Sequence, residues 1–370
     1  MLKIGLLSGH FRRHAITWCC GDWLCALTQV ADVRFYASST VTEDDMTEKF
    51  RNTGAPFYAV ANQQLNTKFN AKLSELWQVM QKDALDVVVE FDSIMCAENA
   101  PLIYKKPAPI VISWPGFCAP YLQQDHYFIA DHHMLPAGVD QHFRERLLRM
   151  PDSYLAVKSL DGLPIDRTAV RDDLGIKDGQ IVYLSVTPGH KFNYASARAI
   201  VAILSRVPDS VLLCKSRGNG DLMRHIYDQV CAEFAVDPQR IQFLKPRTKT
   251  EEEHRTVYQI ADVLLDSYPY NSCTHCLEGL WVDLPVVTKV GDQMFSRFVY
   301  SFLQTLGIQE GIAYTWQEYI DWGVNLGLNH ALRQNVKQRL YQARQTETLA
   351  PLWHPDKFAR DFVDLVTAIR

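Results

Sequence analysis

The sequence predicts an α/β protein made of two doubly wound, Rossmann-like domains, and three observations carry that expectation. Short apolar runs alternate with segments of helical spacing, and they do so twice over. Several runs are near-continuous and β-branched, as in LDVVVEFD at 85–92, the mark of a parallel strand buried on both faces. A polar, turn-rich tract around Met150–Asp178 separates the two series. At 370 residues the chain also exceeds one ordinary hydrophobic core.

In order, LKIGLLS reads as the opening strand, Thr17–Val30 as a helix and VRFYASS as a second strand. Leu73, Leu76, Trp77 and Met80 recur at helical spacing within Asn70–Lys82. The strand LDVVVEFD follows, then PIVISWPG, closed by a Pro-Gly turn, and DHYFIAD. After the polar tract come IVYLSV, the helix Ala195–Ser205, SVLLCKS, the helix Leu222–Phe234, IQFLKP, the helix Thr250–Ile260, VLLD and LPVVTKV. The expected boundaries are 1–158, 159–350, and a terminal helix in 351–370 that crosses back to the first domain. No internal repeat or low-complexity tract appears.

A formal charge of −4 excludes a general nucleic-acid binder, which needs a basic excess. No run of 18 apolar residues offers a membrane span. The N-terminal MLKIGLLSGHF is interrupted by polar residues too early for a signal peptide, so a cytoplasmic location is expected. Nine cysteines, an odd number without framework spacing, suit a reducing compartment.

Ala261–Thr288 carries the most chemistry. A buried strand ends at Asp266, Pro269 stops ladder pairing, and Asn271, Ser272 and Thr274 supply helix-capping types ahead of Leu277 and Leu280. A helix start at the carboxyl end of a strand directs N–H groups and a positive dipole toward an anion, phosphate above all. Glu278 lies one turn after Thr274, facing the same ligand. Cys273-Thr274-His275-Cys276 has C-x-x-C spacing with a histidine, so it reads as phosphate loop, as packing, or as redox or metal chemistry without the second pair a zinc site needs.

Three further segments follow strands. Gly9-His10-Phe11-Arg12-Arg13-His14 holds two histidines, either able to act as a base or to bind a ligand. In Thr187-Pro188-Gly189-His190-Lys191 the ammonium of Lys191 can reach a pyrophosphate, although no Walker A pattern is present. His254, after an acidic helix start, offers a flat ring to a nucleobase. Trp114-Pro115-Gly116-Phe117 suits either a sugar surface or core capping.

Taken together, these segments resemble the catalytic region of the protein O-GlcNAc transferase family, glycosyltransferase family 41, with the HMW1C-type N-glycosyltransferases as distant members. The most specific stretches are KPAPIVISWPGF, the run from Glu251 to Thr288, and SRFVYSFLQTLG. The resemblance implies the GT-B fold, two Rossmann-like domains facing a cleft, and an inverting transferase that needs no metal or other cofactor. The implied co-substrate is a UDP-linked sugar, UDP-GlcNAc or UDP-Glc, and the implied partner a polypeptide Ser, Thr or Asn. By position it implies His14, Asp83 and Lys191 as catalytic. Lys191, His254, Cys273, Thr274, His275 and Glu278 would hold the donor, with Glu278 on the ribose and no residue on a metal. His10, Pro188, His190 and the run Asn271-Ser272-Cys273-Thr274-His275 depart from the family pattern, and no tetratricopeptide segment precedes the first strand. Those departures keep two alternatives open: transfer to a glycan, lipid or small molecule, and a non-catalytic sugar-nucleotide sensor or accessory subunit with a protein partner.

Overall fold

The structure, a computed structural model, describes residues 1–39, 44–59, 69–245 and 248–370. It divides into Met1–Lys158 with Pro351–Arg370, and Ser159–Ala350.

In the first domain seven strands form one parallel sheet: β1 (Lys3–Ser8), β2 (Asp32–Ala37), β3 (Phe57–Ala59), β4 (Val87–Glu90), β5 (Ile110–Ser113), β6 (Tyr127–Asp131) and β7 (Arg146–Met150). Their order is β3-β2-β1-β4-β5-β6-β7. The helices are α1 (Ala15–Leu27), α2 (Asp45–Arg51), α3 (Phe69–Asp83) and α4 (Asn99–Tyr104). Every residue of β4 and β5 is buried, as the unbroken β-branched runs require of strands covered on both faces. The direction of the strand order reverses between β1 and β4, and the carboxyl edge at such a point is where open α/β sheets bind ligands.

The second domain repeats the plan. Its strands are β8 (Ile181–Ser185), β9 (Ser210–Cys214), β10 (Ile241–Phe243), β11 (Val263–Leu265), β12 (Val286–Lys289) and β13 (Ile312–Ala313). They pair in parallel in the order β10-β9-β8-β11-β12-β13, with the reversal between β8 and β11. Its helices are α5 (Arg167–Asp173), α6 (Tyr194–Arg206), α7 (Gly220–Phe234), α8 (Glu251–Ile260), α9 (Cys273–Trp281), α10 (Phe298–Thr305), α11 (Trp316–Leu328) and α12 (His330–Gln342).

Helix α5 lies inside the tract expected to be a polar connection. It buries none of its residues, so it leaves no apolar periodicity to read. Asp166 caps its first turn, and Arg167 and Arg171 each reach an oxygen of Asp262 at 2.7 Å. The edge strands β3 and Arg-bearing β7 keep partly exposed residues, and the edge strand β13 is only two residues long, so none of the three shows an extended apolar run.

The chain closes with α13 (Pro355–Ala368), which packs on the first domain. Its Phe358 and Phe362 rings lie 4.8 and 5.8 Å from Trp23, itself fully buried on α1. Among the described residues no helix is long and apolar enough to cross a membrane.

Candidate functional site

In the second domain the loops at the reversal between β8 and β11 build one polar constellation. After β8 the chain makes a tight turn at Gly189–Lys191, and Asn193 then caps α6 through the Ser196 N–H at 3.0 Å. The turn needs glycine: a Cβ on Gly189 would stand 2.4 Å from the Gly218 carbonyl oxygen. The turn sends Lys191 across to the segment after β11. Its Nζ donates to the Asn271 carbonyl at 3.0 Å and lies 3.9 Å from the centre of the Tyr270 ring.

The segment after β11 is ordered by Asp266. One carboxylate oxygen accepts from the Ser267 and Ser272 N–H groups, both at 2.8 Å, and the other from the Thr288 hydroxyl at 2.7 Å. Burial nevertheless raises this carboxyl to about 6. Ser272 stands at the N-cap of α9, but its hydroxyl is turned toward Ser267 and the Val186 carbonyl, so no side chain caps the helix. An uncapped helix start beside an ammonium is an anion-binding arrangement. Cys273, Thr274 and His275 form that first turn, where the sequence predicts them.

His254 sits in the first half of α8, buried, with Nε2 3.7 Å from Glu278 and its ring centre 5.6 Å from that of His275. Its buried Nδ1 has no hydrogen-bond partner. Burial, then the Lys215 ammonium, lowers the His254 imidazole to about 3; burial, then Lys191, lowers His275 to about 4. Both rings are therefore neutral near pH 7, which suits one to stack on a base and the other to sit beside phosphate.

His254, His275 and Glu278 bring ligand-type atoms within 4.8 Å of one another, which raises a metal ion as an alternative. Their surroundings do not fit a cation. Arg255 donates to one oxygen of Glu278 at 3.0 Å and Tyr258 to the other at 2.7 Å. The buried Lys215 donates to the His254 carbonyl at 3.3 Å. Such a cluster favours an anion. The same bonds give Glu278 partners within the protein. It is 1% exposed with both oxygens committed, so it braces Arg255 and His254 from beneath, and the geometry gives no support to a ribose contact. None of the nine cysteines is in a disulfide among the described residues, and burial raises Cys276 well above its usual range, contrary to a redox pair.

In the first domain His14 is the N-cap of α1, its Nδ1 accepting from the Ile16 N–H at 3.3 Å. Its ring stacks on His10 with centres 4.1 Å apart. Burial, then His10, lowers His14 to about 4. His10 Nδ1 meets the buried Asp92 at 2.8 Å. Asp92 also accepts from the Ser8 hydroxyl at 2.8 Å, the Gly9 N–H at 2.6 Å and the Asn99 amide at 2.8 Å.

Asp83 is elsewhere. It ends α3, ahead of the amino end of β4, whereas the His14 loop follows the carboxyl end of the parallel β1. The Tyr36 hydroxyl donates to it at 2.5 Å and Arg34 lies 3.6 Å away. The fold thus gives Asp83 a bracing role at the opposite edge, and the expected catalytic one finds no support. Trp114 is core: its indole N–H donates to the Tyr154 carbonyl at 3.0 Å, and its ring packs near Phe91.

Sequence reasoning missed Glu90, Asp92, Lys215 and Arg255. The available signal was charge at the carboxyl end of an apolar strand: Glu90 and Asp92 close LDVVVEFD, and Lys215 closes SVLLC. Glu90 accepts from the Asp92 and Ser93 N–H groups and the Asn99 amide, and burial lifts it to about 8.

The model of glycosyl transferase family 41 matches residues 162–354. A probable UDP-N-acetylglucosamine–peptide N-acetylglucosaminyltransferase SPINDLY of Petunia hybrida is 24% identical over 286 residues, 76% of this chain and 30% of that protein. The UDP-N-acetylglucosamine–peptide N-acetylglucosaminyltransferase of Caenorhabditis elegans is 32% identical over 192 residues, 52% of this chain and 16% of that protein. The chain thus spans about a third or less of the length of the curated relatives it matches. Among solved structures, an O-GlcNAc transferase of Thermobaculum terrenum superposes with a TM-score of 0.81 at 21% identity, covering 100% of this chain and 69% of that one. The fold is GT-B, with two Rossmann-like domains.

Proposed function

The chain belongs to glycosyltransferase family 41, and on that premise we propose that it moves a hexose or N-acetylhexosamine, with inversion, from a UDP-linked sugar to a polypeptide side chain. The observation that carries this reading is the convergence of Lys191, the uncapped start of α9 and the neutral ring of His254 at the carboxyl edge between β8 and β11. The diphosphate lies against the α9 start, and the uracil against His254. As the bond from the anomeric carbon to the phosphate oxygen breaks, the electron pair stays on the diphosphate. Lys191 and the helix N–H groups stabilise that charge where it develops. A protein cation there makes a divalent metal unnecessary, and the transferase works without a cofactor. The activities for which the relatives are named favour UDP-GlcNAc as donor and a peptide as acceptor.

The test is a calorimetric panel of UDP, UDP-GlcNAc, UDP-Glc and GDP-Fuc with a chelator present, followed by transfer to co-expressed proteins mapped by mass spectrometry. The expected result is chelator-insensitive binding of a UDP-sugar and a new sugar on Ser, Thr or Asn. Sugar found only on a glycan or small molecule would move the acceptor to another class. UDP binding without transfer would leave a sensor or accessory subunit.

A further inference from the structure

Two buried polar groups of the second domain stand beside each other with hydrogen-bonding capacity unspent. Lys215 directly follows β9, its N–H bonded to the Ser185 carbonyl at the end of β8 at 2.9 Å. Its side chain is buried, and among the described residues its Nζ makes one hydrogen bond, to the His254 carbonyl at 3.3 Å. Burial lowers this ammonium from its usual range, against the pull of Glu278, Glu253 and Glu251, and none of the three forms an ion pair with it. An ammonium carries three donors, so Lys215 has donors to spare where water is excluded. His254 is the second group. Its Nε2 lies 3.5 Å from the Tyr258 hydroxyl oxygen and 3.7 Å from Glu278, while the Tyr258 hydrogen is given to Glu278 at 2.7 Å. Two acceptors thus face Nε2, which puts the proton of the neutral ring there and the lone pair on Nδ1. That Nδ1 is buried and has no hydrogen-bond partner. After burial, Lys215 is the strongest influence on the ring.

A ligand that completes both groups presents an acceptor to Nζ and a donor to Nδ1 from neighbouring atoms. A vicinal diol does so: one hydroxyl oxygen accepts from the ammonium, and the other hydroxyl donates to the imidazole. A carboxylate would leave Nδ1 unmet, because it only accepts. A base stacked on the face of the His254 ring cannot meet Nδ1, whose lone pair lies in the ring plane, but the sugar joined to that base can. Glu278, expected on the ribose, is spent on Arg255 and Tyr258. We infer that Lys215 and the Nδ1 edge of His254 hold the two ribose hydroxyls of the donor, so that the site selects a ribonucleotide over a deoxynucleotide. This rests on the reading of the second domain as the UDP-sugar site, and every residue it uses belongs to that domain. Leaving either group unpaired is what an analogue without the matching hydroxyl does, and that is the source of the discrimination.

The experiment measures Kd by calorimetry for UDP, 2′-deoxy-UDP and 3′-deoxy-UDP on the full chain, on Lys215→Met and on His254→Phe. Methionine keeps an unbranched apolar stem without the ammonium, and phenylalanine keeps a flat ring without Nδ1. The parent is expected to bind the analogue lacking the hydroxyl that faces Lys215 roughly 10- to 100-fold more weakly than UDP, the worth of a hydrogen bond to a charged group. Lys215→Met brings that analogue within about threefold of UDP, and His254→Phe does the same for the other. The ratio is the readout, since a merely structural brace would weaken all three ligands by one factor and leave it unmoved. Where Lys215→Met fails to fold, as thermal denaturation reports, His254→Phe alone carries the test. A parent that binds UDP and both deoxy analogues alike overturns the inference and leaves the nucleotide reading standing. A folded variant that keeps the parent ratios overturns it as well. A parent that binds no UDP removes both.

Discussion

Lys191→Ala would remove an ammonium fixed 3.0 Å from the Asn271 carbonyl and over the Tyr270 ring, while sparing the Asp266 bonds that hold the start of α9. A unit charge about 4 Å from a diphosphate oxygen interacts by roughly 4 kcal/mol at an effective dielectric near 20. The diphosphate is already charged in the bound donor, so part of this is uniform binding and appears in Kd. The part realised only as the leaving group gains charge appears in kcat. Loss of one preorganised donor at a developing anion costs about 2.7–4 kcal/mol, a fall of roughly 100- to 1,000-fold. The assay pairs initial rates at saturating acceptor with donor affinity by calorimetry. A kcat within about threefold of the parent, with Kd unmoved, would refute the assignment of Lys191 to the leaving group.

Three other outcomes are expected. His254→Ala should weaken UDP binding by about 1–3 kcal/mol, the worth of one base stack, with little change in Tm; equal affinity would displace the base from this ring. Glu278→Ala leaves Arg255 buried without its anion and should lower the urea unfolding free energy by about 3–5 kcal/mol; a loss of donor affinity with stability intact would instead return Glu278 to the ribose. Burial lifts the Glu90 carboxyl from 4.5 to about 8, so the folded protein holds a proton there that the unfolded chain has released. That contribution is complete below about pH 4.5 and gone once pH passes 8. Glu90→Gln should therefore flatten the decline in unfolding free energy between about pH 4.5 and 8, and parallel profiles for the two proteins would contradict it.

The parallel sheets were legible because burial on both faces forces near-continuous apolar runs: β4, β5 and β8 can be read off directly. Helix α5 was not, since it buries nothing; nor were the edge strands β3 and β7, which keep partly exposed residues, nor β13, which is only two residues long. The donor side was readable where chemistry clusters in one segment, as in the first turn of α9. It was silent where partners come from distant segments. Glu278 faces Arg255, 23 residues away, and nothing local in α9 announces that both its oxygens are taken. His10 and Asp92 are 82 residues apart, so their pairing is a product of the strand order, and only the fold reveals it. Asp83 shows the converse: a residue placed by resemblance was moved out of the site by the edge of the sheet it occupies.

The helix α13 bears on how the protein is made. The second domain is one unbroken stretch, 159–350, whereas the first is assembled from 1–158 and 351–370. Trp23 gains its Phe358 and Phe362 neighbours only when those last residues have been synthesised. On the ribosome the later-encoded domain is therefore complete first, and the earlier one stands with an open apolar seam until the chain returns to seal it.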